Sequence, residues 1–341
     1  MRVILDAREY DSFDPEAPRK YGASESLVLR VAKALTDAGH RVEGVWKGDE
    51  EKFVDGVTWW PHQTHPRTCD VLISCEWLIY AREFEYDRLY VPLNKNNPIL
   101  AGLEDKVDGF IVFNEEHKRQ LLVYNDTIKP EQCVLIAPGV EMPPRATTRR
   151  KVKNRMIWCH TPERGLIHLM RQWGAILKAV PTATLTMTYG LGRSWDTNKW
   201  LMDTIAEELL ECRLLKKQYG SSIHDLGRAS KEAVQEAQAE AEVASYPCDA
   251  PLPGIFTAFA TMECAAAGDA LIVSALEGLP AEFGDIAEVL DIPVIEEQWV
   301  ATTVELLGDE LRKKRMAKAG REWAAERPWS GHTEAWNALV A

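Results

Sequence analysis

Residues 245–285 read SYPCDAPLPGIFTAFATMECAAAGDALIVSALEGLPAEFGD, and the fold prediction starts from this stretch. A strand ends at Pro247, a loop rich in Pro and Gly follows, and apolar residues at helical spacing continue to Gly268. ALIVS then reads as a buried strand that leads into a glycine-containing loop. A single carboxylate, Glu263, lies in the otherwise small and apolar helix. Because a lone carboxylate is costly to bury unless something bonds it, Glu263 is the first candidate functional residue.

Length and composition describe an ordinary globular protein with room for more than one core. The 341 residues favour two domains of about 150 residues each. Hydrophobic residues make up 46% and charged residues 27%, which is typical of a soluble chain. The formal net charge of -12 disfavours a protein that coats nucleic acid or an anionic membrane, although it leaves room for a local basic groove.

The cysteines and the N-terminus predict a cytoplasmic location. The 7 cysteines are scattered without a CxxC pair, and their odd number favours reduced thiols. The start MRVILDAREYD has too short an apolar run for a signal peptide, and no stretch reaches the roughly 18 apolar residues of a membrane span.

Strand-like and helix-like segments alternate along most of the chain. Alternation of this kind predicts an α/β fold with parallel sheets covered on both faces, here as two Rossmann-like, doubly wound domains. The polar run EMPPRATTRRKVKN is interpreted as the linker, and Trp323, Trp329 and Trp336 lie in a helical C-terminal segment that can pack back on the first domain. The predicted bounds are 1–145 for the first domain, 150–310 for the second and 311–341 for the tail.

Two turns before helices are candidate anion sites. YGASES, at residues 21–26, places small residues before a helix whose N-terminus offers free N–H groups, although Ser24 could serve only as a helix cap. HTPERGLIHL, at residues 160–169, places Arg164 at a helix start, where a guanidinium and the positive helix end would suit a diphosphate. The alternative for Arg164 is a surface ion pair with Glu163 or with an acidic residue of the helix.

The sequence does not predict a metal site or a nicotinamide site. His62, His65 and Cys69 have ligand-like spacing, but a fourth ligand is missing, and no DxD pair is present to hold a divalent ion. GLGRSW begins like a dinucleotide-binding fingerprint, yet it lacks the third glycine and follows the wrong strand.

Taken together, these motifs resemble the retaining, nucleotide-sugar-dependent glycosyltransferases of family 4, which have the GT-B fold of two facing Rossmann-like domains. The resemblance extends over nearly the whole chain. It is carried by GH-x-V at Gly39, by VDGFIVFNEEH, CVLIAPGVE and RGL, by LG-x-x-S at Gly227 and, most specifically, by ME-x-A-A-x-G around Glu263 followed by ALEGLPAEFGD.

The resemblance implies roles for individual residues. Glu263 would accept hydrogen bonds from the ribose hydroxyls and Arg164 would hold the diphosphate, so these two are the expected catalytic residues. The other residues implied to lie at the donor are Gly22, Ala23, Gly227, Arg228, Gly278 and Leu279.

Three positions depart from the family pattern. Ile255 stands where the family usually has a glutamate that bonds the donor sugar, and Cys159 stands in place of the second basic residue. Where the family commonly has a histidine near the acceptor, this chain has VPLNKNNP, so that Asn94, Lys95 or Asn97 could substitute.

The resemblance therefore implies a metal-independent retaining glycosyltransferase that moves a sugar from a nucleotide diphosphate sugar to an acceptor hydroxyl. The alternative that Ile255 motivates is a catalytically silent GT-B module that binds a nucleotide or glycan, or scaffolds a partner. A third alternative, a nicotinamide-dependent dehydrogenase, rests only on the alternation of strands and helices. The acceptor stays open among a glycan, a small metabolite and a modified nucleic acid base, and so does the oligomeric state.

Overall fold

The chain divides into two units in a computed structural model that describes residues 1–10, 13–16, 23–93, 100, 102–143, 151–191, 205–249 and 258–341. The first unit consists of Met1–Gly139 together with Trp329–Ala341, and the second of Val140–Pro328. No described helix is long and apolar enough to span a membrane.

The first unit is built on a parallel sheet. Its strands are β1 (Arg2–Asp6), β2 (Arg41–Trp46), β3 (Lys52–Val54), β4 (Val57–Pro61), β5 (Thr68–Ser74), β6 (Glu85–Pro92), β7 (Gly109–Val112) and β8 (Cys133–Leu135). They lie in the order β3-β4-β2-β1-β5-β6-β7-β8, and only the β3–β4 pair is antiparallel. The predicted doubly wound parallel sheet is thus confirmed for this unit.

The β3–β4 hairpin is an element that the alternation of strands and helices did not predict. Its turn is Asp55–Gly56, and both residues have positive φ, 50° and 82°. An Asp-Gly pair is a typical two-residue hairpin turn because both of its central residues must adopt left-handed backbone conformations. The Asp-Gly pair is therefore a local hairpin signal in the sequence, between two short strands.

Helices cover this sheet, and the last one comes from the end of the chain. They are α1 (Ala23–Asp37), α2 (Glu115–Tyr124) and, at the C-terminus, Trp329–Val340. The C-terminal helix lies against α1, with Trp336 only 1% exposed. The Nδ1–H of His332 donates to the Ala137 carbonyl at 2.8 Å, and the Trp336 indole N–H donates to His332 Nε2 at 3.1 Å. The predicted tail, 311–341, thus packs on the first unit only from Trp329 onwards, because the preceding helix, Glu310–Ala325, belongs to the second unit.

The second unit is an all-parallel sheet covered by helices. Its strands are β9 (Arg155–Trp158), β10 (Thr184–Met187), β11 (Ile223–Asp225), β12 (Val243–Tyr246), β13 (Ala270–Ser274) and β14 (Ala287–Leu290), in the order β11-β10-β9-β12-β13-β14. Its described helices are α3 (Leu166–Ala179), α4 (Ala206–Tyr219), α5 (Lys231–Glu240), α6 (Phe259–Ala267), α7 (Leu279–Phe283), α8 (Glu296–Gly308) and α9 (Glu310–Ala325), which makes the C-terminal helix α10.

The buried core of the second unit lies between its central strands and the helices that cover them. The residues of β12 and β13 are buried throughout, as expected for central strands with helices on both faces. Trp158, Trp173 and Trp299 are at most 1% exposed and fill the space between sheet and helices. Because all six strands are parallel, the loops that follow them share one edge of the sheet, which is where ligands bind in doubly wound folds.

Candidate functional site

The described candidates of the second unit all follow strands of its sheet and therefore lie on its carboxyl edge. Arg164 follows β9, Gly227 and Arg228 follow β11, Glu263 lies on the helix after β12, and Gly278 with Leu279 follows β13. We call this edge, with its loops and the helix N-termini that meet it, the donor edge.

Glu263 is held by two side chains from α5. Its carboxylate forms an ion pair with Lys231, the first residue of α5, and Gln238 Nε2 lies 3.5 Å from its Oε2. The side chain of Glu263 is 23% exposed, so the carboxylate still reaches the surface of the unit. The partners expected for a carboxylate in an apolar helix are therefore present, and they come from another helix.

His160 links the Arg164 turn to the helix that carries Glu263. A 3.0 Å hydrogen bond joins His160 Nε2 and Thr261 Oγ1, and the imidazole stacks on the Tyr246 ring with centroids 3.7 Å apart. Burial of the ring, aided by the nearby Arg164 charge, lowers the pKa of His160 to about 3. The imidazole is therefore neutral at pH 7 and serves to position Thr261 and not to supply a proton.

Arg164 ends a short 3-10 helix, Pro162–Arg164, directly before α3. In the described ranges of the chain, its half-buried guanidinium has no hydrogen-bonding or ionic partner. The alternative ion pair with Glu163 is not formed, because Glu163 instead accepts a hydrogen bond from the Thr161 hydroxyl. A cation without a bonded partner at a helix start is available to an anionic ligand.

Gly165 fixes the backbone beside Arg164. Its φ of 94° lies in the left-handed region, and a Cβ there would approach the Pro247 carbonyl oxygen to 2.1 Å. The Arg164 turn is thus packed directly against the chain that leaves β12, and only glycine fits at this contact.

The Gly227 turn is braced by an aspartate. The Gly227 amide donates to Asp225 Oδ1 at 2.9 Å, while Lys216 Nζ lies 2.7 Å from Asp225 Oδ2. A Cβ on Gly190 would come within 2.5 Å of the Gly227 Cα, so the turns after β10 and β11 touch backbone to backbone. Arg228 follows in this turn, ahead of the first residue of α5.

The turn after β13 is less open to a ligand than the sequence implied. Gly278 caps the short helix α7, and the Leu279 amide already donates to the Leu276 carbonyl at 3.0 Å. Leu279 itself is fully buried. Leu279 is therefore a core residue that lies under the turn. Glu277, with φ 47°, forms the bend of that turn.

Several sequence candidates lie outside the described residues. These are Gly22, Asn94, Lys95, Asn97 and Ile255, while Ala23 is described only as the first residue of α1. Cys159 is buried, with its Sγ 4.0 Å from that of Cys264. Of the predicted residues, Arg164 lies on the turn that His160 joins to α6 through Thr261, and α6 also carries Glu263.

The weak zinc pattern resolves into ordinary packing where the chain is described. His65 hydrogen-bonds to the Pro66 carbonyl oxygen at 3.0 Å and to Glu83 at 3.2 Å, and Cys69 is buried. Within the described ranges, no group of three or more His, Cys, Asp or Glu side chains is placed to hold a metal ion.

Comparison with known proteins finds proteins of similar structure but no match by sequence. No protein-family model and no curated protein matches the chain. Sucrose-phosphate synthase from Thermosynechococcus elongatus has a similar structure over 99% of this chain and 98% of its own, with a TM-score of 0.77 and 16% identity. This chain has the GT-B glycosyltransferase fold.

Two further GT-B neighbours span the chain from end to end. Anabaena HepE, solved with UDP and glucose, matches with a TM-score of 0.71 and 10% identity over 99% of this chain and 97% of its own. A trehalose-6-phosphate synthase, studied for glycosyl transfer with retention, matches with a TM-score of 0.72 and 13% identity over 100% and 99%.

In this GT-B chain, sequence reasoning missed Lys231, His160, Thr261 and Tyr246. The only local signal was Lys231, because a lysine at the first position of a helix opposes the helix dipole and invites a search for its anion. His160, Thr261 and Tyr246 look like ordinary core residues in the sequence and acquire significance only from their mutual contacts.

Proposed function

We propose that this protein is a metal-independent retaining glycosyltransferase that takes its sugar from a nucleotide diphosphate sugar. The observation that carries the proposal is the guanidinium of Arg164, which has no bonded partner among the described residues and lies on the same donor edge as the Glu263 carboxylate. A cation for the diphosphate beside an acceptor for ribose hydroxyls is what a nucleotide diphosphate donor requires. The GT-B neighbours support this reading, because one of them was solved with UDP and glucose.

The site accounts for the chemistry in terms of leaving-group stabilisation. As the glycosidic bond to the diphosphate breaks, negative charge grows on the phosphate oxygens. Arg164 and the positive N-terminus of α3, which begins at Leu166, stabilise that charge without rearranging. Glu263 accepts the ribose hydroxyls and thereby fixes the position of the diphosphate.

Retention follows from attack on the same face that the diphosphate leaves. The departing phosphate oxygen takes the proton of the incoming hydroxyl. No protein side chain is therefore needed as a general base on the face of the sugar opposite the diphosphate. His160 is neutral and bonded to Thr261, and so acts as a positioning residue in this scheme. The neighbour studied for transfer with retention supports this choice of stereochemistry.

Nucleotide binding to Arg164→Ala tests the proposal. Calorimetry with UDP, GDP and ADP identifies the diphosphate that the unchanged protein binds, with NAD as a further arm for the dehydrogenase alternative. Losing a charge-assisted contact should weaken that binding by about 1.5–3 kcal/mol, roughly 10- to 150-fold. Arg171→Ala is the matched control, because Arg171 lies on α3 and is already paired with Glu211 at 2.7 Å. Equal binding by both variants would contradict the diphosphate role.

Activity assays separate the transferase from the silent module. Donor hydrolysis or transfer that persists in EDTA, with the product anomer matching the donor by NMR, is the expected result. Binding of a nucleotide diphosphate without any turnover across UDP-, GDP- and ADP-sugars would favour the silent module instead.

A further inference from the structure

Lys231 occupies an electrostatically unfavourable place. It is the first residue of α5, where the helix dipole repels a cation, and Arg228 lies in the turn just before it. The ammonium group rests on the Glu263 carboxylate, and its side chain remains 40% exposed. The arrangement keeps a positive charge at the positive end of a helix, on the donor edge, with a single described anion to balance it.

We infer that Lys231 is a second diphosphate-binding cation, which rests on Glu263 in the free protein and moves to the diphosphate when the ribose occupies Glu263. The inference rests on the proposed function, because it needs the ribose to bind Glu263. It adds a residue that no resemblance assigned and an exchange of partners at the site.

The exchange is energetically inexpensive. A partly exposed ion pair contributes little to stability, because water solvates both charges well once they separate. Lysine is a compact charge on a flexible stem with three donors, so it can leave the carboxylate and still reach an adjacent anion. The ribose hydroxyls then satisfy the carboxylate that the ammonium group vacates.

The charge of the ligand also favours a second cation. A diphosphate leaving group carries more than one negative charge, whereas Arg164 supplies one positive charge. The diphosphate is joined to the ribose, so a ribose on Glu263 brings it close to the Lys231 ammonium group, which rests on the same carboxylate. Arg164 follows β9 and Lys231 follows β11, so both cations lie on the donor edge.

The test compares two ligands that share a ribose and differ in the diphosphate. Lys231→Met is titrated with whichever of UDP, GDP or ADP the unchanged protein binds, and with the matching nucleoside, uridine, guanosine or adenosine. We expect affinity for the diphosphate to fall about tenfold, while affinity for the nucleoside is unchanged or higher because Glu263 is no longer occupied. Lys231→Arg should restore most of the diphosphate affinity.

Lys318→Met is the matched control. It removes a lysine from the same unit, 74% exposed and paired with Glu322 at 3.6 Å, and should change neither affinity. Thermal unfolding of every variant checks that it is folded, and Lys231→Gln replaces Lys231→Met if the latter is not.

The outcomes distinguish the inference from the proposed function. Equal loss of nucleoside and diphosphate affinity would show that Lys231 only holds Glu263 in place, and tighter binding of both would show that it only blocks the site; either result overturns the inference. Unchanged diphosphate binding by Lys231→Met, alongside a loss in Arg164→Ala, overturns the inference alone. Failure of the unchanged protein to bind any nucleoside diphosphate overturns both.

Discussion

Two arginines follow the first strand of their respective sheets, and they have opposite environments. Arg8, after β1, is 4% exposed, donates to Asp6 at 2.8 and 2.9 Å and to Glu83 at 2.8 Å, and lies 4.3 Å from the centroid of the Tyr80 ring. Arg164, after β9, is half-buried and has no bonded partner among the described residues. The same residue type at equivalent places thus stabilises the fold in one unit and remains available to a ligand in the other.

The largest effect is expected when the Arg8 network is broken. Arg8→Ala leaves Asp6, which is 2% exposed, as an uncompensated buried carboxylate. Removing one partner of a buried ion pair costs about 3–5 kcal/mol of unfolding free energy, which urea denaturation measures. Arg164→Ala is the counterpart and should change stability by no more than about 0.5 kcal/mol, because nothing in the described chain depends on it. Similar losses of stability in both variants would contradict the difference inferred between Arg8 and Arg164.

The backbone beside Arg164 gives the next largest effect. Gly165→Ala adds a Cβ 2.1 Å from the Pro247 carbonyl oxygen at a φ of 94° and should cost about 3 kcal/mol of unfolding free energy. Gly39→Ala is the control, because Gly39 has a similar φ of 88° but nothing within 4 Å of the added Cβ, so only the backbone strain of about 1–2 kcal/mol remains. Equal costs would mean that the Arg164 turn is not fixed by its contact with Pro247.

His332, in the first unit, should make the stability of the protein depend on pH. Burial lowers the pKa of His332 to about 4, from 6.5, although its bond to Ala137 opposes the shift. A depressed histidine pKa means that the folded state disfavours the proton, so this contribution to stability is complete above pH 6.5 and is lost as the pH falls towards 4. Between pH 8 and pH 5 the loss should be about 2 kcal/mol.

Denaturation curves across this pH range check the His332 prediction, with His332→Gln as the variant that removes the titration. The variant should have a flatter pH dependence than the unchanged protein. An identical slope in both would assign the pH sensitivity to other groups, such as His160 in the second unit.

Much of the fold could be predicted because its signals are local. The apolar spacing of helices α2 and α3 and the buried runs of β1 and β13 lie within single segments, and the structure places elements there. The hairpin of β3 and β4 was missed although its Asp55–Gly56 turn carries the signal, since its strands are only 3 and 5 residues long. Short antiparallel strands at a sheet edge give too little periodicity to stand out.

The candidate site could be predicted in outline and not in its contacts. Parallel strands bring the loops after them to one edge, so Arg164 and Glu263 could be assigned to that edge from the order of elements alone. The pairing of Lys231 with Glu263 joins residues 32 apart, and that of His160 with Thr261 joins residues 101 apart. Neither separation leaves a periodic trace in the sequence.

Local sequence patterns predict the alternation of strands and helices, the loops that carry candidate ligand-binding residues, and the resemblance to GT-B glycosyltransferases. Which charged side chains find a partner depends on the folded chain. Arg8 and Arg164 look equivalent in the sequence, and their difference arises because Asp6 and Glu83 surround one guanidinium while no described acceptor reaches the other. Secondary structure follows from local periodicity, whereas the availability of a charge depends on side chains that only the folded chain brings within hydrogen-bonding distance.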